Sequence, residues 1–583
     1  MKSLAASGFA GLILIAGPGF PIAAMAQQTP ARAGADWRHP GGDPGLTRYS
    51  PLDQITRENV SRLQPVWSFE TGVSGPHEGN PLVVGTTMFL HTPWPNQVVA
   101  LDLARPGAPP KWRYTAPGRS GTIGRPGGSP PPAVPAGCCD SGSRGLAWHP
   151  SGKLYVPILS GELAALDAAT GREIWRVRNA DRRSGATLGG PPLVAHDLVV
   201  VGMSGAEHGV RGYLTAYDAH NGRLVWRAWS TGPDREVLID GTPNPAYPTH
   251  QGRDLGLTTW VGEAWRTGGG TPSGWLSFDP ALNLIYHGTD QPAPPNPAAR
   301  PRDNKWTSSI VARDLFTGRV RWVFQLVPHD QWGYGAANEN ILADLTVGGA
   351  PAQALVHFGR NGFAYTLDRA TGRLLLAERF GPLNWAGTLD PGSGLLSLDP
   401  RYAAPRGNAK VTGVCPASLG MKHLQPAAFS PAAGLFFVPV QNLCMDMEIM
   451  PGGFGVRITV RPGPGNVRGR FVAWNAAGAA LVWENREPAG TAGGALATAG
   501  GLVFYGTLDG WLKAVDQSSG RELWKHLTPS GIMGSPISYL GPDGKQYVAV
   551  LSGLGGWWGR GGDGAFPELA GRPGPGVLTV FGL

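Results

Sequence analysis

A short pattern of apolar and polar positions recurs along the chain. It consists of an apolar run, then Ala or Thr, one residue, Asp, a turn containing Gly, and a second strand ending in Trp. It reads Ala100-Leu101-Asp102 to Trp112, Ala165-Leu166-Asp167 to Trp175, Ala216-Tyr217-Asp218 to Trp226, and Ala312-Arg313-Asp314 to Trp322. It returns as Thr366-Leu367-Asp368, without the Trp, as Ala473-Trp474-Asn475 to Trp483, and as Ala514-Val515-Asp516 to Trp524. Asp and Gly are residues of tight hairpin turns, and Trp is a large apolar plug that packs between neighbouring sheets. An eighth copy is split: Val577-Leu578-Thr579-Val580-Phe581 supplies one strand and Leu63-Gln64-Pro65-Val66-Trp67 the other, so the array closes on itself. Four-stranded units set radially leave few exposed edges. The predicted fold is all-β: one eight-bladed β-propeller with tryptophan-docking-type blade repeats, a single domain over residues 27–583. Most of the 21 tryptophans are accordingly assigned to blade packing. The spacing is longest before Asp314 and before Asn475, which predicts insertions on one face, where binding surfaces are usually built.

Composition narrows this further. With 88 Gly and 55 Pro among 583 residues, long helices are excluded, because both residues break helix interiors. Residues 1–26 carry Lys2, the apolar run Leu12-Ile13-Leu14-Ile15-Ala16 and a small-residue end at Ala24-Met25-Ala26. They read as a cleaved secretory signal peptide, too short and interrupted to span a bilayer. Gln27 follows where a lipid anchor would need Cys. No later stretch approaches about 20 uninterrupted apolar residues, so a soluble periplasmic protein without a membrane span is expected. The formal charge is +8 with scattered basic residues. No basic stripe of the kind that grips nucleic acid is present, and the excess suits an anionic cofactor or an acidic partner.

Four cysteines remain: Cys138, Cys139, Cys415 and Cys444. Adjacent Cα atoms stand about 3.8 Å apart, less than the roughly 4.4–6.8 Å of ordinary disulfides, so a Cys138-Cys139 bond would distort its own peptide unit. Cross-links from this pair to Cys415 and Cys444 are the alternative, and residues alone do not choose among the three connectivities. Five segments stand apart from the repeat beside blade strands: His77-Glu78-Gly79, Cys138 to Arg144, Ser204-Gly205-Ala206-Glu207, Gly268-Gly269-Gly270-Thr271 and Gly359-Arg360-Asn361-Gly362. All of them can converge on the axis of the ring.

From Asp36-Trp37 to Gly582 the chain resembles the pyrroloquinoline quinone (PQQ) dependent alcohol dehydrogenases, of the methanol/ethanol dehydrogenase type without a haem domain. The resemblance is carried by Cys138-Cys139-Asp140 with Arg144, Ser204 to Gly212, Arg302-Asp303-Asn304-Lys305-Trp306, Pro328-His329-Asp330, Cys415-Pro416 with Cys444-Met445-Asp446, and Gly553 to Trp557. It implies a vicinal disulfide Cys138-Cys139 on one face of the cofactor and a second disulfide Cys415-Cys444. It places Glu78, Arg144, Ser204, Gly205, Ala206 and Thr271 around the carboxylates and carbonyls of PQQ, Arg360 at the quinone oxygens and Trp557 near the ring. Glu207 becomes a metal ligand. A planar tricarboxylate suits guanidinium forks and small-residue backbone donors, and a hard cation such as Ca²⁺ suits oxygen ligands.

Departures from the family pattern are as informative. The ring-stacking Trp is Ser273, the metal-binding Asn is Gln291 with Asp290 beside it, and the catalytic Asp falls on Gly333. A second acid typical of lanthanide-using members falls on Gly335, so Ca²⁺ is expected rather than a lanthanide. A pocket Trp falls on Ala492, an Asn on His423 and a cofactor-binding Thr on Gly189. Asp290, Asp330 and His423 are the candidate catalytic groups in place of the missing acid, and Asp290 is also a candidate metal ligand with Glu207 and Gln291. Loss of two large aromatics makes room for a bulky or secondary alcohol. No Cys-x-x-Cys-His haem motif occurs, so electrons are expected to pass to a separate soluble acceptor such as a cytochrome c. The alternatives are a PQQ-binding propeller without dehydrogenase activity and a non-catalytic scaffold.

Overall fold

The computed structural model describes residues 34–116, 142–405, 409–450, 455–572 and 574–583. The expected signal peptide and the Cys138-Cys139 pair lie outside these residues. Among the described residues, strands assemble into seven four-stranded sheets and one five-stranded sheet, most of them antiparallel meanders of consecutive strands, with one three-stranded and one two-stranded sheet besides. The fold is an all-β propeller. No described helix is long and apolar enough to cross a membrane.

The recurring phrase is explained at each blade boundary. In the sheet Ala147–His149, Lys153–Ile158, Glu162–Asp167 and Glu173–Arg178, Asp167 Oδ1 accepts the amides of Ala169 and Thr170 and the Thr170 hydroxyl, which closes the turn. The next residue of that turn, Gly171, has φ +72°, and a Cβ there would stand 2.5 Å from the indole of Trp112 in the preceding sheet. Glycine is thus required both by the backbone conformation and by the ring lying on it. Trp112 Nε1 in turn donates to Ala168 O at 3.2 Å. The same indole-to-carbonyl bond joins Trp175 to Ala219, Trp226 to Leu315, Trp322 to Arg369, Trp483 to Gln517 and Trp524 to Leu63. Where the phrase lacks its Trp, the Thr366 hydroxyl reaches Ala476 O instead, at 3.1 Å.

The two ends of the array meet as the split copy predicts. Gln64–Ser74 pairs antiparallel with Pro575–Gly582, with Phe69 opposite Leu578. The long gap before Asp314 holds the short helices Asp234–Val237 and Leu255–Thr258. The gap before Asn475 holds a three-stranded sheet of Lys410–Val414, Leu443–Ile449 and Val456–Pro462. Cys415 and Cys444 form a disulfide at the base of that sheet.

Candidate active site

A cavity of about 390 Å³ opens between these insertions and the loops of the ring. Its floor is charged. Glu78 and Arg144 stand 3.1 Å apart there, carboxylate to Nε. Gly142 allows this approach, since a Cβ at that position would lie 2.8 Å from the Glu78 carboxyl carbon. Beside them, Ser204 is held by a two-way backbone bridge to Thr187, and Gly205 turns the chain at φ +123° with Gly185 O only 2.7 Å from where a Cβ would be. That turn directs the short helix Ala206–His208 so that Glu207 lines the cavity, with His208 Nε2 3.5 Å from its carboxylate.

The facing wall is built on the loop after the strand Leu284–Gly288. Asp290 N donates to Thr271 O, and the Asp290 carboxylate receives Arg360 Nη1 at 2.8 Å and the Ser273 hydroxyl at 3.0 Å. Arg360 Nη1 also reaches Gln291 Oε1 at 3.2 Å, while its Nη2 donates to Ser418 O at 2.7 Å. Gly420 is needed for this placement, because a Cβ there would lie 2.5 Å from Arg360 Cβ. His423 completes the polar lining, and among the described residues its ring makes no hydrogen bond. Burial, reinforced by the nearby cations Arg360, Arg144 and Lys422, holds its pKa well below the ordinary histidine value, so the imidazole is neutral at pH 7.

Another part of the lining is apolar. Met447, Val456, Ile458 and Val460 come from the paired strands beside the disulfide, and Trp332, Leu419, Met533, Trp557 and Trp558 close around them. Sequence reasoning missed this wall, although Val456, Ile458 and Val460 alternate with Arg457, Thr459 and Arg461 in the period of a one-sided strand. Ala492 does not line the main cavity. It borders a side pocket of about 30 Å³ shared with His423, Met533 and Trp558.

Three sequence expectations change. Asp330 is a framework residue and not a proton acceptor: it is fully buried, does not line the cavity, and accepts Ser308 Oγ and the amides of Trp332, Gly333 and Gly335. Those four donors fill its carboxylate. Ala206 packs its methyl among Met203, Val210 and Tyr213 instead of facing the cavity. Thr271 lies behind the wall, its carbonyl fastening Asp290 and Ser273. Ser273 lines the cavity and in addition anchors Asp290 through its hydroxyl.

The PQQ glucose/ethanol/alcohol dehydrogenase β-propeller domain matches residues 37–125, 179–378 and 472–548. A lanthanide-dependent methanol dehydrogenase of Methylacidiphilum fumariolicum (strain SolV) is 47% identical over 524 residues, 88% of this chain and 84% of its own. The chain belongs to the PQQ-dependent alcohol dehydrogenases. Subunit 1 of a methanol dehydrogenase (cytochrome c) of Paracoccus denitrificans is another quinoprotein relative, 41% identical over 91% of this chain and 85% of its own. A solved europium-containing methanol dehydrogenase matches with a TM-score of 0.89 at 44% identity, covering 94% of this chain and 98% of that one.

The residues of this quinoprotein oxidoreductase fit its family's cofactor on one structural ground. Arg360 Nε, on the cavity wall, is buried without a hydrogen-bond partner among the described residues, an arrangement that is costly unless a polar group meets it, and the Glu78–Arg144 ion pair lines the same cavity. Two guanidiniums in one cavity, Arg144 and Arg360, suit a polyanion. Among the described residues no three His, Cys, Asp or Glu side chains cluster as a metal site. Oxygen donors on the cavity wall are the carboxylates of Glu207 and Asp290 and the amide of Gln291.

Proposed function

We propose that this protein is a periplasmic PQQ- and metal-dependent dehydrogenase that oxidises an alcohol with a bulky or branched apolar group to the aldehyde or ketone and passes the electrons to a separate acceptor such as a cytochrome c. The observation that carries this reading is one cavity whose lining combines charged residues with an apolar set. Family membership supports the cofactor, and the relative named for cytochrome c supports the acceptor. The sheets and the closing strand pair support an eight-bladed ring over residues 27–583, exported by the signal at 1–26.

In this reading Glu78 and Arg144 would bind the acidic rim of PQQ, with Trp557 near its ring, while Ser204 and Gly205 would offer polar contacts beside Glu207. Arg360 would meet the quinone oxygens, and Glu207 and Gln291 would hold the cation. When bound, PQQ supplies a two-electron acceptor and the cation a Lewis acid. The chain's residues do the rest. Met447, Ile458, Val460 and Trp558 exclude water and seat the alkyl part of the alcohol, which favours apolar substituents by about 0.8 kcal/mol for each buried CH₂. With Gly333 lacking a side chain and Asp330 saturated, a ring nitrogen of neutral His423 takes the hydroxyl proton. Because its pKa lies below the usual range, the imidazole remains an acceptor as the medium is acidified through pH 6.5, and no acid limb at that value is expected.

Dye reduction by protein loaded with PQQ and Ca²⁺ or a lanthanide tests the reading. kcat/KM should rise from methanol to branched or aromatic alcohols, and highest rates with methanol would refute the bulky-substrate assignment. PQQ uptake without turnover would make this a cofactor-binding propeller that has lost its reaction, and failure of uptake would favour a scaffold. For the proton acceptor, His423→Asn should lower kcat by about 10²–10⁴-fold at unchanged PQQ absorbance. A loss under tenfold would move that role away from His423.

A further inference from the structure

Position 335 and Asp290 compete for the same space. Gly335 has φ +40°, and a Cβ on it would stand 2.3 Å from Asp290 Oδ1 and 2.9 Å from Gln291 N. No side chain at 335 can coexist with the Asp290 carboxylate where it now lies. The carboxylate is held from three directions: Oδ1 accepts Arg360 Nη1 at 2.8 Å and Gln291 N at 3.1 Å, and Oδ2 accepts the Ser273 hydroxyl at 3.0 Å. A carboxylate has about four acceptor positions, so one remains, on Oδ2. Gln291 Oε1 receives only Arg360 Nη1 and likewise keeps one.

We infer that Asp290 lends Oδ2 to the cation of this site as a second carboxylate beside Glu207, in the space left by Gly335, and that this second charge tilts the site toward a trivalent ion. The inference rests on the quinoprotein reading above. Hard cations gather oxygen ligands, and neighbouring residues 290 and 291 offer two on one wall, both clamped by the same guanidinium nitrogen. The energy of a carboxylate with a cation scales with the cation's charge, so a second carboxylate favours a 3+ ion over a 2+ ion of similar radius by half as much again. Arg360 takes back part of this through Oδ1, which is why Oδ2 is the donor. Gly335 itself is the reason sequence inspection points to Ca²⁺: the acid missing at 335 arrives from 290, across the loop.

The test uses PQQ-loaded protein and reads metal binding directly, by Tb³⁺ luminescence titration with Ca²⁺ competition and by Eu³⁺ luminescence lifetimes in H₂O and D₂O. Asp290→Asn keeps the shape and removes the charge. If it weakens Ca²⁺ about tenfold, it should weaken Tb³⁺ about thirtyfold, and a neutral side-chain oxygen that no longer competes with water should leave about one more water on Eu³⁺. Gly335→Ala should act in the same direction by displacing the carboxylate, and Asp290→Gly with Gly335→Asp should restore Tb³⁺ affinity. Unchanged affinities and hydration in Asp290→Asn would overturn the inference while leaving the dehydrogenase reading intact. Absence of the PQQ absorbance in the parent protein would instead strike the reading itself.

Discussion

Arg360→Ala is expected to lower kcat by about 10²–10³-fold, the usual cost of removing one aligned donor from a site that stabilises developing negative charge. Arg360 is almost wholly buried and is held from two sides, since one nitrogen reaches Asp290 and Gln291 and another reaches Ser418 O. Its Nε has no hydrogen-bond partner among the described residues. Without the guanidinium, the Asp290 carboxylate loses the one basic side chain it pairs with among the described residues, and Gln291 loses its clamp. Arg360→Lys should recover little, because an ammonium is a point charge that cannot hold a planar fork. Steady-state dye reduction with a fixed alcohol checks this, with PQQ absorbance recorded on the same sample. A lysine variant within tenfold of the parent would mean that charge alone matters there.

The second large effect is on stability. Lys422 and Glu339 are fully buried, with Nζ 2.6 Å from Oε2, and Glu339 Oε1 also receives Ala427 N. Taking away one partner of such a pair strands a charge, so Glu339→Ala should cost about 3–5 kcal/mol, whereas Lys422→Met with Glu339→Leu should recover most of it. Burial lowers the Lys422 pKa below the ordinary 10.5 even with Glu339 present, and removing Glu339 lowers it further. The unfolded chain then holds that proton more tightly than the folded one, so the deficit of Glu339→Ala should be largest at neutral pH and shrink as pH rises toward 10.5. Urea midpoints at pH 7 and pH 9.5 measure this. Lys422 also donates to His423 O and is one of the cations depressing the His423 ring. The double variant should therefore raise the His423 pKa, readable by NMR titration of labelled histidine.

Much of the ring was legible because its cause is local. The Asp, Thr and Gly of one turn satisfy each other within four residues, and the Trp plugs recur at a regular offset, so the phrase carries its own geometry. The candidate site was legible only as a set of residue types. What separates Asp330 from Asp290 is the company each keeps: Asp330 is filled by nearby amides and Ser308, while Asp290 meets Ser273 and Arg360 from other loops. A sequence shows the acids but not the donors that occupy them. The apolar wall was hidden for a related reason. Alternation at Val456, Ile458 and Val460 announces one buried face, but only the pairing of Met447 opposite Ile458 and Met445 opposite Val460 says which neighbours share that side.

The strand pair that joins the two ends of the ring sets the order in which the protein comes into being. Gln64–Ser74 must wait with an open edge until Pro575–Gly582 is delivered, and nearly all the chain is made in between. Such late, distant pairing is slow, and an unpaired edge invites other chains. Because the cavity draws on residues from Glu78 to Trp558, no partly delivered chain can own it. A newly made molecule should gain its capacity for cofactor in one step, at closure, and chains cut short of that last strand should aggregate instead of working at reduced rate.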